Sequence, residues 1–170
     1  MKRVMAILVS LVLFYLPQQA HAQSNFSVGA ALTSTFSGIG LGVDVGLGDK
    51  SQAVRFGVWV NIPSAALQTN NFGIGAKIAL LSYDLFDFLG LPIGGYGDIF
   101  AFYTGVYAAL GIGGNAGFFV GVGALLGLEV NPIPNFLGAY AEFGLGLGIP
   151  FIVDANLTIG LRIFLGNVFG

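Results

Sequence analysis

The feature that most constrains this chain is an alternation of period two. From Ile39 to Gly48, Ile39, Leu41, Val43, Val45 and Leu47 alternate with Gly40, Gly42, Asp44, Gly46 and Gly48. Drawn out as a β-strand, this segment puts all its large apolar groups on one face and leaves glycine and one carboxylate on the other. Seven more stretches read the same way: Asn25 to Ser34, Ala53 to Ile62, Asn71 to Leu81, Ile99 to Ile112, Gly117 to Val130, Leu137 to Gly148 and Asp154 to Leu165. Eight strands of this length, joined mostly by short turns, fit an all-β transmembrane antiparallel up-and-down β-barrel.

Charge decides which face meets which solvent. The strands carry seven ionisable side chains, Asp44, Arg55, Lys77, Glu129, Glu142, Asp154 and Arg162, and strand parity puts every one on the glycine face. A mean hydropathy of +0.85 with only 8% charged residues is too apolar for a soluble domain, whose charged fraction is about 25%. Lipid is therefore the expected neighbour of the apolar face, where a basic side chain near the midplane would cost about 2 to 4 kcal/mol. The uncharged run from Tyr103 to Leu128 is long enough for a spanning helix. Its seven glycines from Gly111 to Gly127 each weaken a helix by about 1 kcal/mol, and Gly113-Gly114-Asn115 signals a turn. Two strands fit it better.

The amino-terminal stretch has Lys2 and Arg3, an apolar run from Val4 to Leu16, and the small-residue site Ala20-His21-Ala22. It reads as a cleaved secretory signal over residues 1–22, leaving residues 23–170 as a single barrel domain. There is no cysteine, so neither a disulfide framework nor a lipid anchor on cysteine is expected. With Lys2 and Arg3 gone, eight acidic residues face four basic ones. That balance argues against a nucleic-acid partner, which demands a basic face.

The last strand, Thr158-Ile159-Gly160-Leu161-Arg162-Ile163-Phe164-Leu165, resembles the C-terminal assembly signal of outer-membrane β-barrel proteins. Thr158 is its polar residue, Gly160 its glycine, and Ile163 and Leu165 its hydrophobic positions; the usual signal closes on a terminal aromatic, whereas here five residues follow Leu165 and the next aromatic is Phe169. Over about residues 23–165 the chain resembles the small eight-stranded outer-membrane barrels, the class that includes the OmpA transmembrane domain, OmpX and OmpW. The resemblance implies a bacterial outer-membrane location, a monomer surrounded by outer-membrane lipid, and periplasmic chaperones and the barrel-assembly machinery as partners. It implies short turns on the periplasmic side, whereas Ser82 to Asp98 would form a long connection there. That stretch lacks a clean period and reads either as a short interfacial helix with a Gly-rich loop or as a strand extension.

An eight-stranded barrel is just wide enough for side chains to fill. The inward aromatics Trp59, Tyr103, Tyr107, Phe119, Tyr140 and Phe164, set among inward glycines, are expected to do so. Within that interior Arg55, Lys77 and Arg162 are expected to pair with Asp44, Glu129 and Glu142, with Asp154 near the outer rim left hydrated. An enzyme is not expected, because His21, the only histidine, leaves with the signal and acid–base or nucleophilic chemistry in such barrels relies on one. Asp84 and Asp87 are the only clustered carboxylates, so no metal and no cofactor are expected. The expected function is a non-enzymatic envelope barrel with a filled interior, in which Pro63 to Asn70 is the candidate recognition loop. The alternative is a narrow channel or a route for small or apolar molecules.

Overall fold

The computed structural model describes residues 25–35, 38–61, 73–84, 94–113, 117–149 and 152–167. The signal region, the loop 63–70 and residues 85–93 lie outside them. The described residues form eight strands: β1 (Asn25–Thr35), β2 (Gly38–Gly48), β3 (Gln52–Asn61), β4 (Gly73–Ser82), β5 (Phe100–Gly113), β6 (Gly117–Ile133), β7 (Leu137–Ile149) and β8 (Ile152–Asn167). Each pairs antiparallel with the next and β1 pairs with β8, so the sheet closes as an eight-stranded barrel.

Closure carries a stagger. From Gly29 in β1, residues opposite one another run through Asp44, Gly57, Lys77, Ala109, Gly121 and Gly148 to Ile152. Gly29 itself pairs with Arg162, so one circuit of the barrel moves the register ten residues along β8. Strands in such a barrel must tilt. Heights read from sequence position alone are therefore displaced around the wall.

The two faces differ as the alternation predicts. Leu41, Val43, Leu110, Val122, Leu147 and Leu161 point outward, each more than half exposed, while all the inward charges but Lys77 are buried. The inward aromatics stand opposite glycines on neighbouring strands: Trp59 opposite Gly75, Tyr103 opposite Gly127, Tyr107 opposite Gly123 and Tyr140 opposite Gly160. The requirement is steric. A Cβ on Gly160 would lie 2.5 Å from Tyr140 Cζ, and one on Gly127 would enter the ring of Tyr103.

Asn25 and Asn167 pair at one end of the barrel, called here the terminal end. The aperiodic stretch crosses it. Tyr83 N donates to Ser51 O at 2.8 Å, Tyr96 N to Lys50 O at 3.2 Å, and Asn135 N to Gly97 O at 3.1 Å. Residues 83–84 and 94–99 form turns, bends and irregular backbone here, with Gly94, Gly95 and Gly97 in a glycine-rich loop as one of the two sequence readings expects; residues 85–93, where its interfacial helix would fall, lie outside the described residues. Gly97 sits at φ +86, and its amide points at Glu129 Oε1, 3.4 Å away.

Candidate functional site: the charged barrel interior

At mid-barrel Arg55 (β3) meets Glu142 (β7) across the lumen. Arg55 Nη2 donates to Glu142 Oε1 at 3.1 Å and Arg55 Nη1 lies 2.9 Å from Oε2 out of hydrogen-bond alignment, an ion pair between two side chains that are both almost fully buried. Arg55 Nη2 also lies 3.3 Å from the Tyr103 hydroxyl. Lys77 is more loosely held, its Nζ 4.0 Å from Glu142 Oε2 and its side chain 17% exposed.

Nearer the terminal end, Arg162 Nη1 sits 3.1 Å from Glu129 Oε2. The pair is out of hydrogen-bond alignment, so this contact is Coulombic more than directional. Asn131 holds Glu129 in place, Nδ2 donating to Oε1 at 2.8 Å and also to the Asp98 carbonyl. The Tyr83 hydroxyl approaches the other oxygen at 3.5 Å. Beside this pair Tyr83, Tyr96, Tyr103 and Phe164 pack ring to ring with centroids 5.1 to 5.7 Å apart, and the Tyr96 hydroxyl meets Ser27 Oγ at 2.7 Å. Burial pushes the hydroxyls of Tyr83 and Tyr96 above their usual pKa, so both stay neutral. Rings and ion pair together fill the terminal end.

Two carboxylates differ from the sequence expectation. Among the described residues Asp44 pairs with no base: its Oδ2 accepts from the Tyr140 hydroxyl at 2.5 Å, and its Oδ1 has no hydrogen-bond partner there. Asp154 is buried rather than hydrated, accepting from the Tyr107 hydroxyl at 2.7 Å and from Asn156 Nδ2 at 3.1 Å. In both cases a tyrosine reaches the carboxylate from another strand. All five tyrosines among the described residues, Tyr83, Tyr96, Tyr103, Tyr107 and Tyr140, point inward and touch a charged group or Ser27. Sequence reasoning treated the inward tyrosines as filler and missed Tyr83, Tyr96 and Asn131. The available signal was that a buried tyrosine needs a hydrogen-bond partner.

The remaining residues of the expected assembly signal lie where alternation puts them. Ile163 and Leu165 face outward, Thr158 faces inward against Thr33 Oγ1 at 2.9 Å, and β8 runs two residues past Leu165. Ala20 and Ala22 lie outside the described residues.

The opposite half of the barrel is not filled. A cavity of about 60 Å³ lies there, lined by Ser34, Trp59, Phe119 and Asn156 near the strand ends and by Arg55, Lys77, Tyr140 and Glu142 at mid-barrel. Asp44 and Asp154 line it too. It has room for roughly four waters.

No protein-family model and no curated protein sequence matches the chain. Among solved structures, the N-terminal β-barrel domain of OprF from Pseudomonas aeruginosa superposes with a TM-score of 0.56 at 11% identity, over 85% of this chain and 98% of that one. The chain has the fold of the small eight-stranded outer-membrane β-barrels. Ail, the attachment invasion locus protein of Yersinia pestis, has a TM-score of 0.49 at 12% identity, over 84% of this chain and 97% of that one. Neisserial surface protein A has a TM-score of 0.43 at 16% identity, over 82% and 94%. At 11% identity the likeness to the OprF domain is one of architecture.

Proposed function

We propose that this protein is a non-enzymatic integral barrel of a bacterial outer membrane, exported by a signal cleaved after Ala22 and assembled through Thr158, Gly160, Ile163 and Leu165. Within the envelope it acts as a lipid-embedded structural and surface element with a closed bore. The observation that carries this reading is the closure of the terminal end. Tyr83, Tyr96, Tyr103 and Phe164 stack across it beside the Arg162–Glu129 pair, and the Arg55–Glu142 contact spans the lumen above them. The outward face supports lipid as its surroundings, since large apolar side chains cover it and the seven strand charges are turned away. No histidine follows His21, which leaves the interior without the usual general base.

Membrane fractionation tests the location. The folded protein is expected in the outer-membrane fraction, resistant to carbonate extraction and migrating differently on gels before and after boiling; recovery as a soluble protein would refute the reading. The cavity favours a second reading, a narrow route for small molecules. Planar-bilayer recording separates the two, since a closed bore gives no unitary conductance steps.

A further inference from the structure

We propose that the cavity in the half of the barrel away from the chain ends binds a small primary ammonium compound with a short apolar tail. Its charge points that way. The ionisable side chains lining it are Asp44, Glu142 and Asp154 against Arg55 and Lys77, an excess of one negative charge in a space of about 60 Å³. Arg55 and Glu142 neutralise each other, one hydrogen bond and a 2.9 Å ion-pair contact joining them. What remains is two carboxylates facing one ammonium, and that ammonium is 4.0 Å from a Glu142 already engaged by arginine. A monovalent cation completes the balance.

Hydrogen bonding narrows the class. Asp44 is 5% exposed, and among the described residues its Oδ1 has no hydrogen-bond partner. A buried acceptor in that state is destabilising until a donor arrives. A primary ammonium brings three N–H donors, whereas a quaternary ammonium brings none. Shape narrows it further. Trp59, Tyr107 and Phe119 supply aromatic walls, which favour both an organic cation and a short hydrocarbon chain, while Gly57 puts no side chain beside Asp44. An anion of the same size would meet the excess negative charge instead. This inference does not depend on the envelope role, because the cavity is a property of the folded barrel alone.

Trp59 is the only tryptophan in the chain and lines the cavity, so its fluorescence reports on this site. The experiment titrates the protein, folded in a nonionic maltoside detergent, with propylammonium chloride at fixed ionic strength, followed by Trp59 emission and by calorimetry. Propionate, tetramethylammonium and potassium are run alongside. Propylammonium is expected to give a saturable response that the other three do not. Asp44→Asn, with folding checked by unboiled gel migration, is expected to weaken it about ten-fold or more, the order of a lost charge-assisted hydrogen bond. Should that variant not fold, Asp154→Asn removes the other uncompensated carboxylate and is expected to weaken binding in the same direction. The proposal is overturned if neither readout saturates with propylammonium. It is equally overturned if potassium or propionate matches propylammonium, or if affinity is unchanged in the folded variant.

Discussion

At Tyr140 one ring lies beside two guanidinium groups, with Arg162 Cζ 4.2 Å and Arg55 Cζ 4.6 Å from its centroid, and its hydroxyl holds Asp44. Two like charges are thus brought close to one side chain, tolerable because each has its own carboxylate and the ring face is negative. Removing one carboxylate breaks that arrangement. Glu142→Gln leaves Arg55 buried and uncompensated and is expected to cost about 3 to 5 kcal/mol. Lys77→Met, at a long and partly exposed contact, is expected to cost about 1 kcal/mol or less. Urea midpoints of the two variants in detergent measure the difference, and equal losses would mean that Lys77, not Arg55, is the main partner of Glu142. Gly160→Ala makes a steric test of the same ring. The new methyl meets Tyr140, which is held by Asp44 and both arginines, so a loss of about 1 to 3 kcal/mol is expected. A neutral result would mean that the ring is free to move.

Among the strands, β8 carries two demands at once, closing the barrel against β1 and presenting the stretch that resembles an assembly signal. The two can be separated by depth. Ile159 lies mid-strand, opposite Ala141 and Leu32, whereas Ile163 lies nearer the terminal end, opposite Leu137 and Val28. A charge in lipid is expected to destabilise most at the midplane and little near the interface. Ile159→Arg should therefore lower the stability of refolded protein, whereas Ile163→Asp should leave it nearly intact yet reduce the amount assembled in cells. Normal membrane levels of Ile163→Asp would remove the signal from consideration. Strand number, faces and most boundaries of these elements were legible in the sequence because a half-buried strand writes its burial in alternate residues. Ser82 to Asp98 was not legible for the same reason in reverse. Its role is set by single long-range contacts such as Tyr96 to Ser27 and Gly97 to Asn135, which leave no period. The partners of Asp44 and Asp154 were hidden by the stagger, which displaces each strand along its neighbour and brings Tyr140 and Tyr107 to carboxylates that sequence position left apart.

The molecule as a whole has its two halves built differently: the end holding Asn25 and Asn167 is packed with rings, and the other holds a cavity of about 60 Å³ above the mid-barrel charges. Two barriers in series follow from this arrangement, the aromatic stack of Tyr83 and Tyr96 at the end and the Arg55–Glu142 contact across the middle. A permeating ion must pass both, so removing either alone is not expected to produce a pore. Tyr83→Ala with Tyr96→Ala thins the end, where Tyr103, Phe164 and the Arg162–Glu129 pair remain, and leaves the mid-barrel contact in place. Arg55→Ala with Glu142→Ala clears the middle, and because both partners go together no buried arginine is stranded and only Lys77 loses a 4.0 Å contact, so the fold is expected to survive better than in Glu142→Gln. Only the four substitutions combined are expected to give unitary conductance steps in a planar bilayer, each variant first being shown to be folded by unboiled gel migration. Steps from the wild-type protein would refute the closed bore. Steps from the tyrosine pair alone would make the aromatic stack the sole barrier and reduce the Arg55–Glu142 contact to a support for the wall.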